Sequence, residues 1–403
     1  MQVKPSVVMM GLGYIGLPTA ALIASRGLQV TGVDISEEVV NIINKGAIHI
    51  VEPDLEGLVH NVVKRGTLHA TTKPIEADVY LIAVPTPFKE NNVPNLDYVQ
   101  QAVEAIVPCL KPDALVILES TSPIGTTEWM QKLVYELRPE LKSSIYFAYC
   151  PERVLPGNII YELKTNDRAI GGIDAESTEK AIEFYRYFVT GTLYKTNAKT
   201  AEMVKIVENA SRDNQIAFAN ELSIICDKVG VDVWELIRLA NKHPRVNILN
   251  PGTGVGGHCI AVDPWFIISN YPEESTLMQT SRERNLYKTE WVVEKIKNEA
   301  LAFEIRKKRK PVVAAMGLAF KPNIDDLRES PALYVAEKLQ ESGINLLEVE
   351  PNLNNGKRKG IVPYKDAIQD ADIIVFLVAH KVFGSLDIAK DKIVLDFCGV
   401  NKK

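Results

Sequence analysis

Short apolar runs alternate with longer amphipathic stretches through the N-terminal half of the chain. Apolar runs at 6–10, 28–33, 79–84 and 114–119 are typical of parallel strands that are buried on both faces. Stretches with a helical rhythm lie between them, as at 97–107. Further strands are predicted at 145–148, 169–172 and 191–195. This alternation predicts an α/β domain that ends near residue 196.

A second alternation of the same kind follows Pro311. It predicts a helix over 330–341 with Pro331 in its first turn, where no backbone N–H is needed. Strands are predicted at 312–316, 346–349, 372–379 and 393–395. The order matches that at 6–34 but lacks the full glycine fingerprint, so we expect a second doubly wound domain with a different ligand. The basic run at 306–310 reads as the solvated end of a helix rather than a nucleic-acid patch.

One long helix is predicted between the two α/β regions. Residues 200–229 contain few helix breakers, keep a helical apolar rhythm and end at Gly230. A helix of this length approaches about 45 Å, enough to span two domains and to offer a dimer surface. Lys205, Asn209 and Arg212 share one of its faces. The predicted fold class is therefore α/β, with two Rossmann-like doubly wound domains joined by a long central helix.

A dinucleotide fingerprint lies at the first strand–helix turn, and Asp34 ends the second strand. In such a unit the glycines form a tight turn, let the backbone reach a pyrophosphate and let the helix pack on the strand. Asp34 would bind ribose hydroxyls and repel a 2′-phosphate, so NAD is predicted rather than NADP. Thr86 and Thr121, which follow later strands, are predicted cofactor contacts, and Thr127 could bind a phosphate or simply cap a helix. The fingerprint residues predicted to contact the cofactor are Gly11, Gly13, Tyr14, Ile15 and Gly16.

A glycine-rich stretch at 251–264 surrounds a single cysteine, Cys259, with Asp263 four residues later. Glycine lets a ligand approach the main chain closely, so a reactive thiol at the base of a pocket is one interpretation. A mobile surface loop with an incidental cysteine is the other. This stretch alone does not separate them.

Composition restricts the class of protein. With 403 residues, 46% of them hydrophobic, and a formal net charge of −5, a sizeable core is expected and a nucleic-acid partner is not. Five widely spaced cysteines without a CxxC pair argue against a disulfide framework or a metal site and for a cytoplasmic protein. Glycines and Pro18 interrupt the apolar N-terminus, so we read it as strand and helix rather than a signal peptide. No apolar run is long enough to predict a membrane span.

Long motifs occur in order along essentially the whole chain. They are GLGYIGLPTA with Asp34, IHIVEPDL at 48–55, AVPTPFK at 83–89, LESTSP at 118–123, YCPERVLPG at 149–157, FANELS at 218–223, HPRVNIL at 243–249, GVGGHCIAVDPWFI at 254–267 and GLAFKPNIDDLRESPA at 317–332. In these motifs the chain resembles the UDP-glucose/GDP-mannose dehydrogenase family. The resemblance implies an NAD-binding domain at 1–196, a central helical region with the cysteine loop and a dimer surface at 197–300, and a UDP-sugar-binding domain at 301–403.

The resemblance also implies a four-electron oxidation of a sugar C6 alcohol to a carboxylate with NAD. Cys259 would trap the aldehyde as a thiohemiacetal, whose oxidation gives a thioester that water hydrolyses. By similarity, Lys205 and Asn209 hold the oxyanion. Asp263 would position the water or Lys205, and Glu152 would assist hydrolysis. The residues that match substrate positions are Arg153, Val154, Lys205, Asn209, Arg212, His243, Arg245, Gly256, Phe320 and Lys321, and Arg328 matches a cofactor contact.

The loop after Pro151 bears on the substrate class. Family members that act on glucose carry a second acid there, whereas this chain has the Leu155-Pro156-Gly157 pattern of N-acetyl-sugar members. The resemblance therefore implies UDP-N-acetyl-D-mannosamine as substrate, with UDP-N-acetyl-D-glucosamine as the alternative. It also implies a homodimer or a higher homo-oligomer, in which His243 and Arg245 could reach the partner's site. Cys398 stands near a position where relatives often carry a basic residue, and we read it as structural.

Other interpretations stay open from the sequence. His258 could act as a base or simply pack within the loop. A sensor that binds NAD without chemistry would be expected to lose the thiol, the lysine or the asparagine, and all three are present. A two-electron hydroxyacid dehydrogenase would form one NADH per substrate and would not need Cys259.

Overall fold

The structure, a computed structural model, describes residues 4–155, 157–257, 259–353 and 358–400, without the side chain of Asn91. The chain divides into two compact units. The first unit is Met1–Val207 with Trp265–Asn270, and the second unit is Glu208–Pro264 with Tyr271–Lys403. The candidate base His258 lies outside the described residues. Within the described part, no helix is both long enough and apolar enough to cross a membrane.

The first unit is built on an eight-stranded sheet with the order β3-β2-β1-β4-β5-β6-β7-β8. Its strands are β1 (Val7–Met10), β2 (Val30–Val33), β3 (Leu68–Thr71), β4 (Val79–Ile82), β5 (Leu115–Leu118), β6 (Tyr146–Tyr149), β7 (Arg168–Gly172) and β8 (Leu193–Asn197). Neighbouring strands run parallel except β6 and β7, which are antiparallel. The order reverses between β1 and β4, which is where a doubly wound sheet binds its ligand.

Helices accompany the strands of this sheet. They are α1 (Gly16–Ser25), α2 (Glu37–Asn44), α3 (Leu55–Lys64), α4 (Asp97–Ile106), α5 (Thr126–Leu137), α6 (Ile159–Thr165) and α7 (Ala175–Tyr185). Val7 and Met9 belong to one buried apolar cluster and Val8 and Met10 to another. Because successive side chains of a strand point to opposite faces, both faces of the sheet are packed. This explains why the strand sequences are continuous apolar runs rather than alternating ones.

Two helices of 32 residues each follow, α8 (Ala198–Val229) and α11 (Thr276–Lys307), with α9 (Val233–Ala240) and α10 (Pro264–Ile268) between them. The long helix predicted at 200–229 is confirmed as α8. Only the basic end of α11 was predicted, because the buried face of its first half is polar. Arg282 and Asn285 are buried there, and both donate to Asp213 Oδ1, at 2.6 and 2.8 Å.

The second unit contains a four-stranded parallel sheet with the order β10-β9-β11-β12. Its strands are β9 (Val312–Met316), β10 (Asn345–Val349), β11 (Ile373–Phe376) and β12 (Ile393–Asp396), and its helices are α12 (Pro331–Glu341) and α13 (Tyr364–Asp370). Pro331 opens α12 as predicted, and the Ser330 hydroxyl accepts a hydrogen bond from the Leu333 N–H. The predicted strand at 372–379 is shorter, and α2, α3 and β3 were not predicted.

Candidate active site

The turn between β1 and α1 has the geometry that its glycines predict. Gly11 has φ +89°, a left-handed conformation that favours glycine. A Cβ on Gly16 would lie 1.9 Å from the Gly11 carbonyl oxygen, so helix and turn approach too closely for a side chain. A Cβ on Gly13 would meet nothing within 4 Å, so this face of the turn is open where a pyrophosphate would approach. These residues fit a dinucleotide.

Asp34 follows β2 and stabilises the same turn. Its Oδ2 accepts a hydrogen bond from the Leu12 N–H at 3.1 Å, and its Oδ1 accepts one from the Ser36 N–H at 3.0 Å. The side chain is only part-buried, so lone pairs remain for ribose hydroxyls. Tyr14 is exposed and Ile15 is half-buried on this turn, in positions that a bound cofactor could cover.

Thr86 and Thr121 follow the adjacent parallel strands β4 and β5. Ser120 joins the two segments, since its hydroxyl accepts from the Val84 N–H at 2.9 Å and donates to the Val84 carbonyl at 2.8 Å. Both threonines are half-buried. Because the carboxyl ends of parallel strands meet at one edge, both lie at the ligand-binding edge of the sheet.

Thr127 is held by an acid that the sequence analysis did not single out, Glu202 on α8. The Thr127 N–H and hydroxyl donate to Glu202 Oε1 at 2.7 and 2.6 Å, and the Gly125 N–H donates to Oε2 at 2.6 Å. Burial raises the pKa of Glu202 despite these hydrogen bonds. The carboxylate thus occupies the anion position at the start of α5. Gly125 is the N-cap residue and makes no side-chain cap, so Glu202 rather than Thr127 binds the free N–H groups at this end of the helix. The predicted capping role of Thr127 is therefore not seen, and a phosphate contact stays a prediction.

Glu152, the predicted hydrolysis residue, follows β6 and is paired with a buried arginine. Its Oε2 lies 3.2 Å from both Nη1 and Nη2 of Arg168, the first residue of β7. Its Oε1 accepts from the Arg153 N–H at 2.6 Å. Arg168 is 3% exposed and also donates from Nη2 to the Leu163 carbonyl at 3.1 Å. Arg153 donates to the Asp167 carbonyl, and Val154 beside it is half-buried.

Three further polar side chains surround this ion pair. Burial raises the pKa of Glu119 to about 7 and that of the Cys150 thiol to about 11. The Tyr185 hydroxyl donates to Glu119 Oε1 at 2.5 Å, and the Arg168 guanidinium lies 5.4 Å from the centre of the Tyr185 ring. Cys150 is therefore a core cysteine with an unreactive thiol.

Cys259 is exposed and lies in the second unit. Its backbone carbonyl accepts from the Asp263 N–H at 2.7 Å, which brings the predicted nucleophile and the predicted acid together in one turn. Asp263 is buried, and its Oδ2 accepts from Asn209 Nδ2 at 2.5 Å. Lys205 precedes Asn209 by one turn of α8, so the two side chains share a face.

The glycines before Cys259 make close contacts with protein atoms. A Cβ on Gly254 would lie 2.2 Å from Thr289 Oγ1, and one on Gly256 would lie 2.2 Å from the Glu329 carbonyl oxygen. The loop is also fixed at its start, where the Gly252 N–H donates to Asn220 Oδ1 at 2.9 Å. These contacts argue against a mobile loop. They also give the glycines a packing role, so a substrate contact at Gly256 stays a prediction.

The loop after β9 carries Phe320 and Lys321, both half-buried. It lies where the second sheet reverses its order, between β9 and β11. Glu350 holds this loop by accepting from the N–H groups of Leu318 and Ala319 at 2.8 and 2.9 Å. Its position suits the nucleotide contact predicted for the loop.

The other predicted contacts lie on the surface of the described chain. Arg328 is exposed, and its guanidinium donates to both carboxylate oxygens of Asp326 at 2.7–3.1 Å. Arg212 is exposed on α8, and His243 and Arg245 are exposed in the turn after α9. These four roles stay predictions.

Sequence reasoning missed Glu202, Arg168 and Glu350. Glu202 lies three residues before Lys205, so helical spacing could have placed it on the same face. Arg168 stands next to an otherwise apolar strand, which was the signal that its charge needed a buried partner. Glu350 follows β10 as Asp34 follows β2, and the internal repeat could have pointed to it.

Models of the UDP-glucose/GDP-mannose dehydrogenase family match three stretches of this chain. The NAD-binding domain matches 5–189, the central domain 199–287 and the UDP-binding domain 314–403.

Individual relatives match along nearly the whole chain. It is 54% identical over 409 residues to the UDP-N-acetyl-D-mannosamine dehydrogenase of Campylobacter jejuni, covering 97% of this chain and 98% of that protein. It is 50% identical over 415 residues to the enzyme of that name from Escherichia coli K12, covering 98% and 99%. A solved structure of UDP-D-ManNAc dehydrogenase from Pyrococcus horikoshii has a TM-score of 0.89 at 38% identity, covering 99% of this chain and 96% of that one. The chain belongs to the UDP-glucose/GDP-mannose dehydrogenase family.

Proposed function

We propose that this NAD-dependent dehydrogenase oxidises C6 of UDP-N-acetyl-D-mannosamine to the carboxylate, with Cys259 as the covalent nucleophile. The observation that carries the proposal is that Cys259 and Asp263 lie on a loop fixed by packed glycines, with Asp263 bound to Asn209 of α8 and Cys259 exposed. The names of the relatives support the substrate. NAD, when bound, accepts the hydride that leaves C6 in each oxidation.

Covalent attack, oxyanion binding and hydrolysis are assigned to different residues. The Cys259 thiolate would form a C–S bond to the C6 aldehyde, and the resulting oxyanion would accept hydrogen bonds from Lys205 and Asn209. One Nδ2 hydrogen of Asn209 is directed at Asp263, which fixes the amide and leaves its second hydrogen for the substrate. Glu152 would take a proton from the water that hydrolyses the thioester.

The three-part division also belongs to the proposal. Residues 1–196 would bind NAD, 197–300 would carry the cysteine loop and the dimer surface, and 301–403 would bind UDP through Phe320 and Lys321. A homodimer is supported by Phe218, Ile225 and Val229, which are 53, 49 and 64% exposed on one face of α8. Phe218→Glu should lower the mass of the particle in light scattering, and an unchanged mass would contradict this surface.

UDP-N-acetyl-D-glucosamine, the C2 epimer, is the second candidate substrate. Steady-state rates with both sugars decide between them, and faster turnover of the gluco epimer would reverse the assignment.

The covalent role of the thiol is tested separately. Cys259→Ser should lose nearly all turnover, because an alkoxide-derived ester does not replace the thioester route. Cys109→Ser is the matched control, since Cys109 is half-buried and its thiol donates to the Pro74 carbonyl at 3.5 Å. Wild-type activity in the Cys259→Ser variant would contradict covalent catalysis.

A further inference from the structure

The buried arginine behind Glu152 has no role in the proposed chemistry so far. Two of its nitrogens contact one carboxylate oxygen of Glu152, at 3.2 Å each, and the guanidinium is almost fully shielded from solvent. Arginine stays protonated in proteins, so a buried guanidinium requires a nearby anion.

Sheet topology explains how this arginine reaches the ligand edge. β6 and β7 pair antiparallel, with Ala148 opposite Gly172 and Tyr149 opposite Gly171. If this register continues past the end of β6, Arg168 lies directly opposite Glu152. A strand parallel to β6 would begin at the far edge of the sheet. The reversed direction of β7 therefore brings its first residue to the edge where β1–β6 end.

Two carboxylates lie near the arginine, and their environments differ. Glu119 is fully buried, burial raises its pKa to about 7, and its Oε1 is bound by the Tyr185 hydroxyl. Glu152 makes the direct contacts to Arg168, and its other oxygen accepts the Arg153 N–H. Glu152 is therefore the anion that balances the guanidinium, with a contact on each oxygen to fix its orientation.

We propose that Arg168 is a positioning residue that orients Glu152 as a carboxylate for hydrolysis of the acyl group on Cys259. This inference rests on the proposed function. In the step it supports, water forms a C–O bond at the acyl carbon while one of its O–H bonds breaks and the proton passes to Glu152. The C–S bond then breaks, the electron pair returns to sulfur, and Cys259 leaves as thiolate. The proposed chemistry gives Glu152 no part in the two oxidations before this step.

The test compares Arg168→Met, Arg168→Lys, Glu152→Gln and the double variant Arg168→Met/Glu152→Gln. Each is mixed with UDP-N-acetyl-D-mannosamine and NAD, quenched, and measured by intact mass for an acyl group on Cys259. Arg168→Met should accumulate acyl-enzyme after a burst of NADH, with kcat lowered about 100-fold, as for loss of a general base. KM for the sugar should fall in parallel, because slow hydrolysis after acylation leaves kcat/KM almost unchanged. Arg168→Lys keeps the positive charge but loses the paired contact of two nitrogens with the carboxylate, so it should accumulate less acyl-enzyme.

The double variant separates positioning from stability. If Arg168 acts through Glu152, adding Arg168→Met to Glu152→Gln should change kcat by less than about twofold. Arg186→Met, at an exposed arginine after α7, is the matched control and should turn over like the wild type.

Three results would overturn the inference. Glu152→Gln could accumulate acyl-enzyme while both Arg168 variants do not, or the two substitutions could lower kcat additively. If no variant accumulates acyl-enzyme and wild type forms one NADH per sugar, the proposed function itself fails.

Discussion

Both units place an acid after the second strand of a β–turn–helix–β segment, Asp34 after β2 and Glu350 after β10. In both, the carboxylate accepts backbone N–H groups of the turn after the first strand, Leu12 in one case and Leu318 with Ala319 in the other. The turns also begin alike, because Gly11 has φ +89° and Gly317 has φ +91°. In each unit, the hydrogen bonds from the turn to this carboxylate close the turn.

The two acids differ in what remains of their hydrogen-bonding capacity. Asp34 is part-buried and has lone pairs left for a ribose. Glu350 is 2% exposed, and it also accepts from His380 Nε2 at 3.0 Å and from the Asn352 N–H at 3.1 Å. The turn of the second unit also has Ala319 and Pro322 where the first has Gly13 and Gly16. The same architecture therefore binds a dinucleotide in one unit, whereas in the other unit its acid serves as a structural support.

The largest expected effect is on NAD binding. Asp34→Ala should raise KM for NAD about 100-fold, because hydrogen bonds from ribose hydroxyls to a charged group are lost. It should also reduce discrimination against NADP. Initial rates against both cofactors measure this, with Glu37→Ala at an exposed neighbour as control. An unchanged KM for NAD would contradict the role of Asp34 as a ligand of the cofactor.

Glu350→Gln should act on stability and on the other substrate. The amide group would face backbone donors, so the free energy of unfolding should fall by about 1–3 kcal/mol. Loosening of the Phe320–Lys321 loop should raise KM for the UDP-sugar and leave KM for NAD unchanged. Chemical denaturation and kinetics test both, with exposed Glu341→Gln as control. A rise in KM for NAD alone would contradict the assigned roles.

A buried lysine gives the second unit its own pH dependence. Burial lowers the pKa of Lys288 from 10.5 to about 7, and its Nζ donates to Ser223 Oγ at 2.8 Å. Between these values the unfolded chain binds the extra proton, so stability rises with pH, by about 1 kcal/mol per pH unit. Lys288→Met should remove this rise in denaturant titrations from pH 7 to 10. Lys297→Met, at a half-buried lysine of the same helix, should keep the rise. A rise that persists in Lys288→Met would rule out Lys288 as the cause.

The first unit should show a smaller effect of opposite sign. The pKa of Glu119 rises from 4.5 to about 7, mainly through burial. In this window the folded chain holds the proton and the unfolded chain does not, so stability falls as pH rises, by about 1 kcal/mol per pH unit. Glu119→Gln should abolish that fall between pH 4.5 and 7 in denaturant titrations. Glu136→Gln, at an exposed residue of α5, should leave this fall unchanged. A fall that persisted in Glu119→Gln would show that another group causes it.

Features that are encoded locally in the sequence could be predicted, whereas features that depend on tertiary contacts could not. Continuous apolar runs identified most strands, and the fingerprint with Asp34 identified the first nucleotide turn, because each is encoded locally. Helix α11 escaped because Arg282 and Asn285 replace apolar residues on its buried face. The partners of Glu152 and Thr127 escaped because Arg168 and Glu202 are brought to them only by tertiary folding.

In the proposed function, a single sugar is oxidised twice in succession at one covalent centre, Cys259. The most direct measurement is the amount of NADH formed per UDP-N-acetyl-D-mannosamine when limiting sugar is consumed to completion. The proposed chemistry predicts two NADH per sugar, with the uronate as product. One NADH per sugar, with the aldehyde as product, would contradict it.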